Sequence, residues 1–238
     1  MAKPDPTLVL LPGLLCDAAV WAAQCAALAP ARYIVPDYGT LDSIEAMARQ
    51  ALAQAGSDRF AIAGHSMGGR VALEMARLAP GRIEGLALLD TGYQARAPGE
   101  VGEAEARERH ALLALAQARG MREMGRRWAR GMVHPDHVDT PVFEAILAMI
   151  ERKTPEIFQA QIRALLDRPD ARPVLASLRC PTLLLCGRED AWSPLARHED
   201  MQRIVPGAEL AVIEQSGHMT TMEQPAAVSE ALRRWLLR

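Results

Sequence analysis

Aromatic side chains make up only 4% of the 238 residues, and lysine occurs just twice, at Lys3 and Lys153. No apolar run approaches the roughly 20 residues of a membrane-spanning helix. Neither sign of charge predominates: 27 basic and 29 acidic residues leave a net charge of −2, which argues against a dedicated nucleic-acid binder. None of the four cysteines (Cys16, Cys25, Cys180 and Cys186) belongs to a CxxC pair, so neither a zinc site nor a thioredoxin-like motif is suggested. Repeats, low-complexity tracts, a Gly-rich phosphate loop and metal-ligand clusters are all missing, so no cofactor is implied. Lys3 ahead of the run 7–16 only mimics a signal peptide, because Pro12-Gly13 breaks that run and no convincing small-residue cleavage site follows. These absences predict a cytoplasmic protein with Cys16, Cys180 and Cys186 as buried thiols.

Half of the residues are apolar, which excludes a disordered chain. A chain of this length buries roughly 70–75% of its unfolded surface and needs no disulfides to fold. Short apolar runs alternate with helical segments. Strands are expected at 7–11, 33–35, 60–63, 83–89, 182–186 and 209–213. Helices are expected at 18–28 behind an Asp17 cap, at 43–55 ending on Gly56, and at 71–78, 194–204 and 225–237. Wholly apolar strands separated by helices imply a parallel sheet covered on both faces. Residues 92–176 carry almost no strand signal and read as helices broken near Gly120, Gly131, Pro135, Pro141 and Pro155. The expected organisation is therefore a core of residues 1–91 and 177–238 with a helical cap, 92–176, over the carboxyl ends of about six strands.

Gly64-His65-Ser66-Met67-Gly68 fits G-x-S-x-G between a strand and a helix. A serine on so sharp a turn needs small residues two before and two after it, here Gly64 and Gly68. Ser66 lies at a helix N-terminus, and the Met67 N–H points to where an oxyanion would form. Serine needs a base, and the base an orienting acid. His218 in the loop after the last strand is the candidate base, and Asp190 after 182–186 the candidate acid. Glu189 and Asp90 are rival acids. His65 should point away from the Ser66 hydroxyl. His110, His134 and His137 lie in the insertion, and His198 is expected on a surface helix.

LLPGLLCD (10–17), GHSMGG (64–69), PTLLLCGREDAWSP (181–194) and SGHMTTMEQP (216–225) together resemble the α/β-hydrolase superfamily, especially small bacterial carboxylesterases of the pimeloyl-carrier-protein methyl ester esterase kind. The resemblance spans residues 8–236. It implies Ser66 as nucleophile, His218 as general base, Asp190 as its partner, and the Leu14 N–H as second oxyanion donor beside Met67. Pro12 stands where that family usually has histidine, and the family's first two antiparallel strands are not expected here.

The cap should set substrate choice. Met124, Trp128, Met132, Phe143 and Leu147 within it, with Leu15, Trp192 and Met219 from the core, are candidate pocket residues, and Leu112 is among the further apolar cap residues that could line it. As a set they favour a small or medium apolar acyl or aryl ester. Arg119, Arg122, Arg126, Arg127 and Arg130 are either a solvated helix face or a docking patch for an acidic carrier protein or coenzyme A thioester. A monomer or homodimer is expected. Hydrolysis of C–C bonds or enol-lactones, thioester hydrolysis, and a ligand receptor on the same fold stay open. Dehalogenation is disfavoured because it wants aspartate at the Ser66 position.

Overall fold

A computed structural model describes residues 7–28, 32–56 and 59–238 of the chain. Lys3 lies outside the described residues. Every residue of the first strand, β1 (Thr7–Leu11), is buried, because helices cover both faces of the sheet. A 3₁₀ turn (Ala18–Trp21) is capped by the Asp17 carboxylate, which accepts from the Ala19 N–H, and α1 (Ala22–Ala27) continues it. The single helix expected over 18–28 is thus split into two. Next come β2 (Arg32–Ile34) and α2 (Ile44–Ala55). Ser43 caps α2 through the Ala46 N–H, and Gly56 ends it at a left-handed φ of 59° that favours glycine.

The centre of the sheet is β3 (Phe60–His65), α3 (Met67–Leu78) and β4 (Ile83–Leu89). Helix α3 starts four residues earlier than the expected Val71, directly after the strand, which makes the turn at Ser66 as tight as a strand–helix junction can be. Five helices then intervene before the sheet resumes: α4 (Gly99–Arg119), α5 (Met121–Ala129), α6 (Pro141–Glu151), α7 (Pro155–Leu166) and α8 (Arg172–Ser177). Proline opens α6 and α7 and lies in the first turn of α8, where its missing N–H costs nothing. The chain closes with β5 (Thr182–Gly187), α9 (Leu195–Ile204), β6 (Glu209–Ile213), α10 (Thr220–Glu223) and α11 (Pro225–Leu236).

Among the described residues the six strands form one sheet in the order β2-β1-β3-β4-β5-β6, every neighbouring pair parallel, as the sequence predicts. Helix α11 lies close on it: a Cβ at Gly85 of β4 would stand 2.9 Å from the Trp235 ring. No helix is long and apolar enough to cross a membrane among the described residues. Cys16 and Cys186 are buried as expected, whereas Cys180, at the amino-terminal edge of β5, is only half-buried. His198 is the clearer departure. It is fully buried, because α9 turns that face inward and the ring accepts from the Thr91 N–H at 3.3 Å.

Candidate active site

The turn between β3 and α3 leaves no room for side chains on either flank. A Cβ on Gly64 would stand 2.4 Å from the Gly68 carbonyl oxygen, and one on Gly68 would stand 2.1 Å from the Leu11 carbonyl oxygen. Ser66 is held at φ 55°, ψ −116°, a backbone conformation that costs a non-glycine residue on the order of 1–3 kcal/mol. The packed surroundings maintain it: the Ser66 N–H donates to Leu89, and Thr91 Oγ1 donates to the Ser66 carbonyl at 2.6 Å.

Three of the expected residues meet at this turn. Ser66 Oγ lies 2.8 Å from His218 Nε2, and His218 Nδ1 lies 2.8 Å from Asp190 Oδ2. Asp190 follows β5 and its other oxygen accepts from the Trp192 and Ser193 N–H groups at 2.8 and 2.9 Å. Burial alone would raise this carboxyl, but the His218 imidazole and those two N–H groups outweigh it and hold the group down at about 2. Asp190 is therefore ionised and fixes the proton of His218 on Nδ1, leaving Nε2 free to accept from the serine hydroxyl.

The rival acids are occupied elsewhere. Glu189 accepts from the Ser216 N–H. Asp90, fully buried at the end of β4, accepts from Gly187 N–H and Thr220 Oγ1. Burial and the charge of nearby Asp190 push Asp90 well above the usual carboxylate range. His65 points away from the Ser66 hydroxyl and supports the His218 loop, with Nε2 2.8 Å from the His218 carbonyl. Burial and the nearby His218 ring pull His65 down to about 4, so it is neutral there.

The loop after β1 forms a turn in which Cys16 N–H donates to the Gly13 carbonyl, with Leu15 at φ 60°. Gln161 of α7 accepts from the Leu15 N–H at 2.9 Å and holds that turn in place. The Leu14 and Met67 N–H groups have no hydrogen-bond partner among the described residues, and both residues border the cavity at Ser66. Pro12 contributes backbone there: its carbonyl oxygen would stand 2.7 Å from a Cβ on Gly68.

Glu223 carries no motif of its own, yet its buried carboxylate accepts from the Gly217, Met219 and His134 N–H groups and lies 2.9 Å from His137 Nδ1. The His218 N–H itself donates to the Met132 carbonyl at 2.5 Å. The inserted helices and the His218 loop are thus joined through backbone. In the sequence Glu223 stands inside SGHMTTMEQP (216–225), five positions after His218, with nothing there to mark its role.

A cavity of about 440 Å³ opens beside Ser66 and His218. Trp128 and Trp192 line it, their rings stacked at 5.2 Å, with Trp192 5.1 Å from the His218 ring. Met132 and Met219 line a smaller adjoining recess of about 60 Å³. The structure places the other four expected pocket residues away from both spaces. Leu15 is fully buried beneath the turn it helps to form, and Met124, Phe143 and Leu147 are fully buried in the packing of the inserted helices. Short amphipathic helices bury their apolar stripes against one another first. In their place the cavity takes Leu14, Met67 and Phe158, beside Leu112, which was expected there, and also a set of arginines: Arg70, Arg109, Arg168 and Arg197. Among the described residues, no group of three or more histidine, cysteine or carboxylate side chains converges as a metal would require.

The fold has known counterparts. The chain is 30% identical to an esterase from Thermogutta terrifontis, whose structure superposes with a TM-score of 0.87 over 98% of this chain and 89% of that one. A pimeloyl-[acyl-carrier protein] methyl ester esterase from Nitrosomonas europaea is 27% identical over 92% of this chain and 91% of its own length. A 2-succinyl-6-hydroxy-2,4-cyclohexadiene-1-carboxylate synthase from Serratia proteamaculans is 26% identical over 98% and 93%. The sequence profile of the alpha/beta hydrolase family matches residues 8–231, and the chain belongs to that family.

Proposed function

We propose that the protein is a serine hydrolase that cleaves carboxylic esters through an acyl-Ser66 intermediate. The observation that carries this reading is the pair of 2.8 Å contacts linking Ser66 Oγ, His218 and Asp190 at the edge of the cavity. Ser66 Oγ attacks the ester carbonyl while His218 Nε2 takes its proton. The tetrahedral oxyanion sits against the Leu14 and Met67 N–H groups, each worth roughly 2.7–4 kcal/mol in the transition state. Collapse breaks the C–O bond, and the alcohol leaves with the proton returned by His218. A water then attacks the acyl-serine, His218 takes one of its protons and passes it to Ser66 Oγ, and the acid departs. Asp190 stays ionised and stabilises the imidazolium in both halves.

Residues 92–176 act as a cap on a core of 1–91 and 177–238. The Met132–His218 and Gln161–Leu15 hydrogen bonds support that division, since both span it. The cavity volume suits a short or medium acyl group. An acyl chain delivered on an acidic carrier protein fits the relatives named for such substrates. Arg119, Arg126 and Arg127 support a docking role for the cap, being exposed and without an ion pair among the described residues. Arg122 and Arg130 are instead tied to Glu144, Glu151 and Asp139.

The test is hydrolysis of p-nitrophenyl esters from acetate to decanoate by the intact protein and by Ser66→Ala. Turnover that falls at least about 10³-fold in the variant is expected. Unchanged turnover in Ser66→Ala, or none in the intact protein, overturns the reading.

A further inference from the structure

Four guanidinium groups face the cavity from four separate parts of the chain. Arg70 lies one helical turn after Ser66 on α3, Arg109 on α4, Arg168 after α7 and Arg197 on α9. Two carboxylates share that wall. Glu105 is consumed by its neighbours, bonding Arg168 at 2.8 and 2.9 Å and Arg109 at 2.9 and 3.0 Å. Glu108 is exposed at the rim. Arg70 and Arg197 make no ion pair among the described residues.

Both hold backbone carbonyls instead. Arg70 Nη1 donates to the Gln94 carbonyl at 2.8 Å, and Arg168 Nε donates to the same oxygen at 3.3 Å. Arg197 Nη1 donates to the Trp192 carbonyl at 2.8 Å. A guanidinium has five N–H donors, so each keeps several unspent. The two flank Gly92, just beyond β4. A Cβ there would lie 3.2 Å from Arg70 Nη2, 2.9 Å from Arg197 Cδ and 3.4 Å from Arg197 Nε. Glycine makes the space into which both cations reach.

Gathering like charges in a partly buried site is unfavourable unless an anion joins them. Burial and the neighbouring Arg168 and Arg197 pull Arg70 down to about 9, which leaves it a cation at neutral pH. The geometry points to a carboxylate subsite: Arg70 and Arg197 receive a second, free carboxylate of the ester, so that half-esters of short dicarboxylic acids are the substrate class. This rests on the ester hydrolysis proposed above and narrows it. Planar guanidinium pairs with carboxylate in a fork of two hydrogen bonds, which fixes orientation as well as charge.

Monomethyl glutarate and dimethyl glutarate present the same scissile bond with and without the anion. The expected kcat/KM ratio favours the half-ester at least about tenfold, and that ratio falls at least about tenfold in Arg70→Gln and in Arg197→Gln, mainly through KM. A ratio of one or less in the intact protein, or one unmoved by both substitutions, overturns the subsite. Calorimetric binding of glutarate and of inorganic phosphate to Ser66→Ala reads the subsite without turnover. Glutarate binding that weakens in Ser66→Ala/Arg197→Gln sustains the subsite even where no ester is cleaved, which separates its fate from that of the ester reading. No binding of glutarate, or tighter binding of phosphate, overturns the carboxylate assignment.

Discussion

At Ser66 the backbone carries the strain that the side chain's work requires. The serine is displayed because two glycines let β3 and α3 close to contact distance around it. That space is filled by backbone, which cannot swing aside. Gly68→Ala would drive a methyl group into the Leu11 carbonyl oxygen, which would stand 2.1 Å away. We expect it to lower stability by at least about 2 kcal/mol and to abolish ester turnover, because the loop bearing Leu14 must shift. A thermal melt and a p-nitrophenyl acetate assay check this, and a variant with unchanged melting and activity would contradict it. The need for two small residues was legible in the sequence, since it follows from chain geometry alone. The choice of Asp190 over Glu189 and Asp90 was not legible from spacing, because all three lie just beyond strand ends and only the direction of each side chain separates them.

Elements were easier to read than their orientations. The strands announced themselves because parallel strands buried on both faces are continuously apolar, as in TLVLL at β1 and TLLLCG at β5. The inserted helices were recognisable, but which way their apolar faces turned was not. Met124, Phe143 and Leu147 look the same in sequence whether they face a cavity or another helix. The arginines of the cavity wall are spread over 127 positions, from Arg70 to Arg197, and only folding brings them together. Glu223 belongs to this scale, since its carboxylate joins α10, the His218 loop and the insertion. Glu223→Ala strands the buried N–H groups of Gly217 and Met219 and the half-buried one of His134. We expect a loss of about 3 kcal/mol or more in urea unfolding and roughly a 100-fold fall in kcat as the imidazole loses its placement. Unaltered kcat in the folded variant would remove Glu223 from the positioning of His218.

For the molecule as a whole, the buried histidines set the response to acid. His65 and His198 are both pulled down to about 4, chiefly by burial. Between about pH 6.5 and pH 4 the unfolded chain protonates both and the folded chain neither, so stability is lost as pH falls through that window. Asp90 works against them. Its raised value lets the folded state hold a proton that the unfolded state gives up above about pH 4, which opposes the histidines. The two histidines alone would give at most about 2.7 kcal/mol per pH unit, and Asp90 reduces that slope. Urea unfolding near the two ends of the window should show the protein weaker at the acid end, and equal stability at both would show that burial does not keep these rings neutral.

The hydrogen bond from the His218 N–H to Met132 bears on how such a chain can diversify. A segment inserted between two strands is ordinarily exchangeable, since the sheet folds around whatever connects them. Here a transplanted segment would have to bring a carbonyl to the same point, or the imidazole would lose its seat and the recipient its chemistry. Substitutions along the cavity wall leave that carbonyl in place, whereas an exchanged segment has to supply it anew.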